Sequence, residues 1–527
     1  ERFKALGLEP LGANGTFRVP FEVTTKVTSG AGTVLTVAGK SVAATDFTAT
    51  GWSTQGTVKG KAVLAGYGIQ DAELGLDDFK GLDVKGKIVI ARRFVPEHEK
   101  LTTPEAQRRA GDLRKKAFVA RTLGAKGLVV VDLPVVPAPK DPKEKIERPP
   151  EAALPTLRPE GTGEAGIPVV VVKRAALEAV WKNLEAKKAI DLSFGVELQF
   201  EKTQAFNVVG RIVAGKKSGP GPVVIGSHYD HLGFGGPNSL TPDRHDAHLG
   251  ADDNASGTAT LLEIAKSLSA ARAELTRDVV IASFSGEEDG VLGSAALVKG
   301  KPAWLEGAPA MINLDMVGRL RGNTLSVLGS DSAPEWAALI ATACAAVRVE
   351  CRASGDGYGP SDHISFYTAG VPVLHLFTGA HGDYHKPSDA PAKLNAMGMA
   401  KISDIVVSLA RAGSATALTY KKMPAPAGPG DARSFNASLG TVPNYGGPPP
   451  GLKGVLLDDV RPGGGAEKAG MRRGDVIVKL GKLDVGSVED LMFVLMQAKP
   501  GETVTAVVVR DGKRLELETT FQEGRRR

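Results

Sequence analysis

The chain has 527 residues, a formal net charge of +6 and 42% hydrophobic residues. Its length predicts two to four domains, and its composition excludes wholesale disorder. No apolar run approaches the roughly 18 residues that a membrane-spanning helix needs. The one dense basic patch, residues 525–527, has no interleaved aromatic residues. The sequence therefore predicts neither a transmembrane segment nor a nucleic-acid site.

Two features bear on the compartment of the protein. Cys344 and Cys351 are the only cysteines, which excludes a zinc site of four thiolates and a disulfide framework. They leave open whether one bridge forms or both remain free thiols. The chain begins with Glu1 rather than Met, which indicates that a targeting segment has been removed. We therefore expect an exported protein, periplasmic or secreted, although no signal is present in the sequence itself.

The N-terminal part of the chain is expected to form two units. Residues 1–49 are expected to pack on the central domain, and residues 50–190 look like a separate unit. Within that unit, the sequence predicts a charged helix at 104–123 and a buried strand at 127–132. The run Arg121-Thr-Leu-Gly-Ala-Lys-Gly-Leu-Val-Val-Val resembles the protease-associated domain, a β-rich insert of several peptidase families.

The central region, residues 191–420, alternates short apolar runs with amphipathic stretches. Such alternation predicts an α/β domain with a mixed, mainly parallel sheet and helices on both faces. The predicted strands cover residues 223–225, 279–282, 311–314, 324–328 and 371–374, and the predicted helices cover residues 259–270 and 334–347.

The C-terminal region follows a linker at 421–434, which is rich in Pro, Gly and Ala. Residues 435–527 then contain a predicted strand at 454–463 and a small helix that leads into the strand Gly474-Asp-Val-Ile477. This order closely resembles the PDZ domains of bacterial proteases. The resemblance implies a small β/α domain that binds a C-terminal peptide by strand addition, with residues 438–441 as the loop that receives the carboxylate.

Histidines and acids cluster in the central region. Eight of the nine histidines lie between residues 228 and 385. Three predicted strands are each followed by such residues, namely His228, the pair 287–288 and Asp315. Since the carboxyl ends of parallel strands meet at one edge of a sheet, these side chains should converge in one crevice. Histidine nitrogen and carboxylate oxygen are zinc ligands, so the crevice is a candidate metal site.

A pair of acids, Asp252 and Asp253, precedes the helix predicted at 259–270. A helix N-cap explains this position as well as a metal ligand does. Two zinc ions about 3.5–4 Å apart need a bridging carboxylate, and one acid of this pair could supply it.

Five motifs then occur in a recognisable order, and together they resemble the co-catalytic di-zinc exopeptidases that include bacterial leucyl aminopeptidases and glutamate carboxypeptidase. The resemblance covers residues 204–415 and implies the zinc exopeptidase fold with two Zn²⁺ per chain. The motifs are His228-Tyr-Asp230, Gly250-Ala-Asp-Asp-Asn-Ala-Ser-Gly257, Ser285-Gly-Glu-Glu-Asp-Gly-Val-Leu-Gly-Ser294, Asn313-Leu-Asp-Met-Val-Gly-Arg319 and Tyr384-His-Lys-Pro-Ser-Asp389.

The resemblance also assigns roles to individual residues. Asp253 rather than Asp252 becomes the bridging acid, because the family spacing is Asp-x-x-Ser-Gly. Glu287 becomes the general base, and Tyr384 a group that steadies the tetrahedral oxyanion. Asp230 is expected to orient a metal-bound imidazole through its other ring nitrogen. The implied metal ligands are His228 and Asp315 on one ion, Glu288 and His385 on the other, and Asp253 between them.

These roles predict a di-zinc metallo-aminopeptidase, a hydrolase that removes N-terminal amino acids from peptides with a free N-terminus. In this prediction a water molecule bridges the two zinc ions, and Glu287 accepts its proton to leave the attacking hydroxide. Cobalt or manganese could occupy the same ligand set.

Two kinds of alternative stay open at this point. One is another enzyme on the same scaffold, a carboxypeptidase or a one-zinc glutaminyl cyclase. A carboxypeptidase needs arginines for the substrate carboxylate, and Arg319 and Arg321 follow Asp315 in the sequence. The other alternative is a non-catalytic receptor or adaptor that binds through its accessory domains. The sequence also leaves open whether the PDZ-like domain recruits substrates, docks a partner or shields the cleft.

Overall fold

The structure is a computed structural model. It describes residues 1–135, 149–159, 164–217, 219–236, 238–241, 244–424, 437–444, 448 and 451–523. Most of the predicted linker, 425–434, and the basic patch at 525–527 lie outside the described residues.

The first 196 residues contain four helices and twelve strands among their described parts. The helices are α1 (Arg2–Ala5), α2 (Pro104–Gly111), α3 (Leu113–Thr122) and α4 (Glu178–Glu185). The strands are β1 (Glu9–Pro10), β2 (Arg18–Ser29), β3 (Val34–Val37), β4 (Lys40–Ser41), β5 (Phe47–Ala49), β6 (Gly56–Leu64), β7 (Gln70–Asp71), β8 (Leu76–Asp77), β9 (Ile88–Arg92), β10 (Gly127–Val131), β11 (Val169–Val172) and β12 (Ile190–Val196).

The central region alternates strands and helices. Its strands are β13 (Leu198–Ile212), β14 (Val223–His228), β15 (Val279–Phe284), β16 (Ala310–Leu314), β17 (Thr324–Leu328), β18 (Glu350–Ser354) and β19 (Val373–Phe377). Its helices are α5 (Gly257–Ala270), α6 (Leu292–Lys299), α7 (Trp336–Ala346), α8 (His363–Thr368) and α9 (Ala396–Ala415).

The described C-terminal region contains two helices, α10 (Gly465–Lys468) and α11 (Val488–Gln497). Its strands are β20 (Ala437–Ser438), β21 (Thr441–Pro443), β22 (Val455–Val460), β23 (Val476–Leu480), β24 (Leu483–Asp484), β25 (Thr503–Arg510), β26 (Lys513–Thr520) and β27 (Gln522–Glu523).

The central sheet runs in the order β1-β13-β15-β14-β16-β19-β17-β18, with β2 also paired to β13. Its four middle strands are parallel, and antiparallel pairs flank them on both sides. Alternate residues of β14 enter two different cores, because successive side chains of a strand point to opposite faces. Ile225 packs in the core that contains α5 and α9, whereas Val224 packs with α6 and α8. The predicted mixed α/β sheet with helices on both faces is confirmed.

A second sheet has the order β4-β3-β12-β6-β9-β10-β11-β5 and draws its strands from residues 34–196. The charged helix predicted at 104–123 is two helices, because the chain breaks at Asp112. The Asp112 side chain accepts a hydrogen bond from the backbone N–H of Lys115 and so caps α3, while Thr103 caps α2. The boundaries proposed for the domains, and the likeness of this unit to a protease-associated domain, stay predictions.

Cys344 and Cys351 form a disulfide with an S–S distance of 2.00 Å. The bridge links the end of α7 to β18. Among the residues that the structure describes, no helix combines the length and apolarity needed to cross a bilayer.

Candidate metal centre

Three neighbouring parallel strands deliver the inner residues of the candidate site. β14 lies between β15 and β16, and Val223 pairs with both Val279 and Ala310, so the three strands begin level. His228 is the last residue of β14, and Asp315 directly follows β16. Their side chains meet beyond the carboxyl ends of the strands, where open α/β sheets gather ligands.

The first cluster surrounds His228, whose side chain is 1% exposed. Its Nε2 lies 3.3 Å from Oδ1 of Asp253 and 3.3 Å from Oδ1 of Asp315. Oε2 of Glu287 is 3.9 Å from the same nitrogen. His228, Glu287 and Asp315 each offer one ligand atom within 4.8 Å of the others. This cluster could hold one metal ion.

The second cluster surrounds Glu288, which follows β15. Its Oε2 is 3.0 Å from Nε2 of His385, and its Oε1 is 2.7 Å from Nδ1 of His231. Asp253 joins this cluster through Oδ2, which lies 3.2 Å from Nε2 of His385. His231, Asp253 and Glu288 each offer a ligand atom within 4.8 Å of the others, so a second ion could be held here.

Asp253 lies between the two clusters, with Oδ1 facing His228 and Oδ2 facing His385. It belongs to a single π-helical turn, Ala251–Ser256, that leads into α5, and its peptide bond to Asn254 is cis. Its geometry is that of a carboxylate shared by two neighbouring sites.

Asp252 faces away from both clusters. Its Oδ1 accepts a hydrogen bond of 2.7 Å from the backbone N–H of Gly318, and its Oδ2 lies 3.0 Å from Nε2 of His381. Its side chain is fully buried. Of the two acids, the structure therefore brings only Asp253 to the imidazoles of the clusters.

Asp389 fixes the backbone beneath the site. Its Oδ2 accepts hydrogen bonds from the backbone N–H groups of Asp252 (2.8 Å) and Asp253 (3.1 Å). Its Oδ1 accepts from Nη2 of Arg319 at 2.7 Å, and Nη1 of Arg319 binds Asp383 at 2.8 Å. Sequence reasoning missed these supporting residues, although Arg319 and Asp389 end two of the recognised motifs.

His231 was also missed by sequence reasoning. It lies three residues after His228, directly behind the motif His228-Tyr-Asp230, and its hydrogen bond to Glu288 is the closest contact of that acid with an imidazole. Its only sequence signal is its place after His-x-Asp, which does not reveal where the loop turns.

The donor set fits a zinc ion. Ligand atoms held about 2.0–2.2 Å from a tetrahedral zinc lie roughly 3.3 Å from one another. The imidazole-to-carboxylate distances at His228 and His385 are 3.0–3.3 Å. Nε2 of His385 is buried, 3.2 Å from Oδ2 of Asp253 and 3.0 Å from Oε2 of Glu288. An imidazole nitrogen between two carboxylates is placed so that all three groups could bind one cation.

The carboxylates shift the pKa values of both imidazoles. Burial alone would lower the pKa of His228, but Asp315, Glu287 and the other nearby carboxylates together outweigh burial and hold the pKa well above its usual value. Burial also opposes the charge of His385, yet Asp253 and Glu288 raise the pKa of that imidazole to about 10. Metal ligation requires neutral imidazole, so a bound cation would replace these protons.

Glu287 differs from the other acids. Burial raises its pKa well above that of an ordinary glutamate, His228 opposes this shift, and Asp315 adds to it. Burial also opposes the charge of Glu288, but its bonds to His231 and His385 lower the pKa of that carboxyl. The pKa values of the two adjacent glutamates are therefore shifted in opposite directions, and Glu287 is the one that keeps a proton more readily.

Asp230, predicted to orient His228, contacts it mainly through the backbone. Nδ1 of His228 lies 3.2 Å from the Asp230 carbonyl oxygen and 3.7 Å from its Oδ1. The Asp230 carboxylate accepts hydrogen bonds from the backbone N–H groups of Glu287 and Glu288 at 3.2 and 3.3 Å. Asp230 thus ties the loop after β14 to the loop after β15.

Tyr384, predicted to steady the oxyanion, stacks its ring on His385 with centroids 3.8 Å apart. Its side chain is 36% exposed and lines the same cavity as the acids. That cavity has a volume of about 510 Å³ and opens outward from Asp253, Glu287 and Asp315.

Comparison with known families agrees with this geometry. Residues 207–410 match the model of Peptidase family M28, and residues 435–521 match that of the PDZ domain. The recognised resemblance to zinc exopeptidases with a C-terminal PDZ domain is thus confirmed.

Individual relatives match parts of the chain. A probable leucine aminopeptidase of Arthroderma benhamiae is 30% identical over 202 residues, which are 36% of this chain and 53% of that protein. Aminopeptidase YwaD of Bacillus subtilis is 25% identical over 354 residues, which are 64% of this chain and 65% of that protein. The chain thus spans about half the length of the first curated relatives it matches.

Among solved structures, an aminopeptidase from Aneurinibacillus sp. strain AM-1 aligns over 80% of this chain and 87% of its own. The sequence identity is 20% and the TM-score is 0.45.

Proposed function

We propose that the chain is a metallo-aminopeptidase that removes N-terminal amino acids from peptides and uses two zinc ions. The observation that carries the proposal is the position of Asp253, with one carboxylate oxygen toward His228 and the other toward His385. Aminopeptidase names among the relatives support the choice of substrate.

His228 and Asp315 would hold one ion and Glu288 and His385 the other, with Asp253 shared. His231 would fix Glu288 through the hydrogen bond from the far side of its carboxylate. When bound, the two ions would lower the pKa of a water between them and polarise the scissile carbonyl.

Glu287 would act as general base and then as general acid. Its carboxylate lies beside His228 but on the cavity side, and burial raises its pKa. It would accept the proton of the attacking water and return it to the leaving amine. Tyr384, which lines the same cavity, would donate a hydrogen bond to the oxyanion.

An N-terminal substrate is favoured over a C-terminal one by the charges of the site. A carboxypeptidase must neutralise the substrate carboxylate with cations that face it. Arg319 is occupied by Asp383 and Asp389, and Arg321 donates to the carbonyl oxygen of Ala380. The aminopeptidase names of the relatives agree with this choice.

Export of the protein is part of the proposal. The Cys344–Cys351 bridge supports it, because disulfides persist in oxidising compartments.

Metal analysis combined with a substrate panel tests the proposal. We expect about two zinc ions per chain and hydrolysis of leucine and alanine anilides, with C-terminal substrates left intact. A chain that binds no zinc after supplementation would instead be an adaptor, and cleavage of C-terminal substrates alone would make it a carboxypeptidase.

A further inference from the structure

The cavity over the metal centre is shared between two domains. Its inner end is lined by the acids and imidazoles of the peptidase domain. Its outer end is lined by residues of the PDZ domain, among them Val442 on β21 and Leu491, Met492 and Leu495 on α11. Both ends belong to one continuous space of about 510 Å³.

The PDZ domain is held over the cleft by contacts with the N-terminal region. Nη1 of Arg108 on α2 pairs with Oδ1 of Asp490 on α11 at 3.0 Å, and these side chains are only 3% and 12% exposed. The guanidinium of Arg108 also lies 5.6 Å from the ring centroid of Phe493. Each partner of this buried pair would be left as an uncompensated charge without the other, so the contact is specific for this position of α11 against α2. The arrangement therefore fixes which face of the PDZ domain meets the cavity.

The face that meets the cavity has the chemistry of a peptide groove. Within the described part of the chain, β21 is the edge strand of its sheet, so its outer side is open to strand addition. Met492 on the facing helix is an apolar side chain that is 43% exposed. Arg461 also lines the cavity, and its backbone N–H donates to the carbonyl oxygen of Gly440, in the loop that precedes β21. The outer end is thus mainly apolar, whereas the inner end carries the side chains that could hold metal ions.

We infer that a single peptide occupies both ends of this cavity, with its N-terminus at the metal centre and its C-terminal residues in the PDZ groove. The proposed aminopeptidase centre takes a free N-terminus, and an open strand edge beside an apolar helix face accepts the C-terminal residues of an extended peptide. The volume is within the range of about 300–1,000 Å³ that small-ligand sites occupy, which suits a peptide of a few residues and excludes a folded protein. The inference rests on the proposed aminopeptidase function and adds its substrate class: short peptides with both termini free.

A length series of peptides tests the inference. The substrates are leucine anilide and peptides of two to eight residues that begin with leucine. Each peptide is used as the free acid and as the C-terminal amide, and all are cleaved by the zinc-loaded full chain. We expect kcat/KM to rise with length to a maximum and then to fall. At the maximum, the amide should be cleaved about tenfold less efficiently than the acid, since it lacks the carboxylate.

Met492→Asp probes the groove itself. We expect it to lower kcat/KM for the best peptide about tenfold more than for the anilide, because it places a charge in the apolar wall. Met397→Asp, on α9 and 76% exposed, is the matched control and should leave the ratio of the two substrates unchanged. Unfolding midpoints of both variants show whether either change acts through stability.

The outcomes separate the two proposals. An anilide that is not hydrolysed overturns the aminopeptidase function and the inference with it. Two results overturn the inference alone, provided that the anilide is hydrolysed. In one, kcat/KM does not depend on peptide length; in the other, Met492→Asp lowers kcat/KM equally for the peptide and the anilide. If Met492→Asp cleaves long peptides faster, the PDZ domain shields the cleft and the inference is wrong. If the domain binds a protein C-terminus that short peptides do not displace, it is a partner site and the inference is wrong as well.

Discussion

The two ends of the cavity are built in different ways. The inner end is buried and charged, and its side chains are fixed by neighbouring strands of one sheet and by a backbone network around Asp389. The outer end is mainly apolar, with Met492 exposed and Leu491 buried, and it depends on the contact of two separate domains. The proposed chemistry thus lies where neighbouring strands and hydrogen bonds fix the side chains, and the proposed selection of peptides lies on a surface between two domains.

Glu287→Gln should have the largest effect, since it removes the proton acceptor and keeps the shape of the side chain. We expect kcat on every substrate to fall by roughly two to four orders of magnitude. Measured zinc content should stay at the wild-type value, because the proposed ligands are unchanged. The dependence of KM on peptide length should persist, because the substitution leaves the outer end of the cavity unchanged. Near-normal turnover with full metal content would remove Glu287 from its role.

The pH dependence of zinc binding should be the next largest effect. The pKa of His385 is raised to about 10 in the metal-free protein, so this imidazole is protonated at pH 7 and must lose its proton to bind zinc. Zinc affinity should therefore rise about tenfold per pH unit for each proton displaced, and fall as the pH is lowered. Calorimetry in buffers of different ionisation enthalpy measures the protons released.

His385→Ala should reduce both the zinc stoichiometry and the proton release. His245→Ala, which removes an exposed histidine of the loop before Gly250, is the control and should change neither. Zinc binding that is independent of pH between 6 and 8 would contradict the ligand role of His385.

Much of the inner end could be predicted from the sequence, because its residues follow strands whose apolar runs are recognisable and belong to dense motifs. His228 and Asp315 needed only the strand ends. The choice of Asp253 over Asp252 rested on motif spacing, and the side chain of Asp252 proves to face Gly318 and His381. The position of His231 depended on how the loop after β14 turns, which local sequence does not encode.

The outer end could not be predicted beyond the identity of its domain. The sequence shows a PDZ-like order of elements, but the ion pair that positions the domain joins residues 382 positions apart. The sequence predicts one helix at 104–123 because Asp112 is one charged residue within a charged stretch. In the structure its side chain caps α3, so the helix breaks there.

Asp389→Asn tests whether the inner end depends on its supporting network. The amide keeps the shape but weakens the pairing with Arg319 and the bonds to the backbone N–H groups of Asp252 and Asp253. Loss of such outer partners of metal ligands costs about 10–100-fold in metal affinity or activity. We expect a drop in zinc affinity of this size, measured by competition with a chelator. Asp383→Asn, which leaves these backbone bonds intact, should have the smaller effect, and equal effects would contradict the role of Asp389.

Arg108→Ala tests the outer end and should have the smallest effect on chemistry. It breaks the buried pair with Asp490, which costs roughly 3–5 kcal/mol of stability where a charge is left unpaired. The PDZ domain should then lose its fixed position, so that the ratio of kcat/KM for the best peptide to that for leucine anilide falls several-fold. Arg109→Ala, on the same helix but 52% exposed and paired with Glu105, is the matched control and should keep the ratio. If Arg108→Ala leaves the ratio unchanged while the thermal unfolding of the PDZ domain shifts, the interdomain pair stabilises the fold without aligning the groove, and the inner and outer ends work independently.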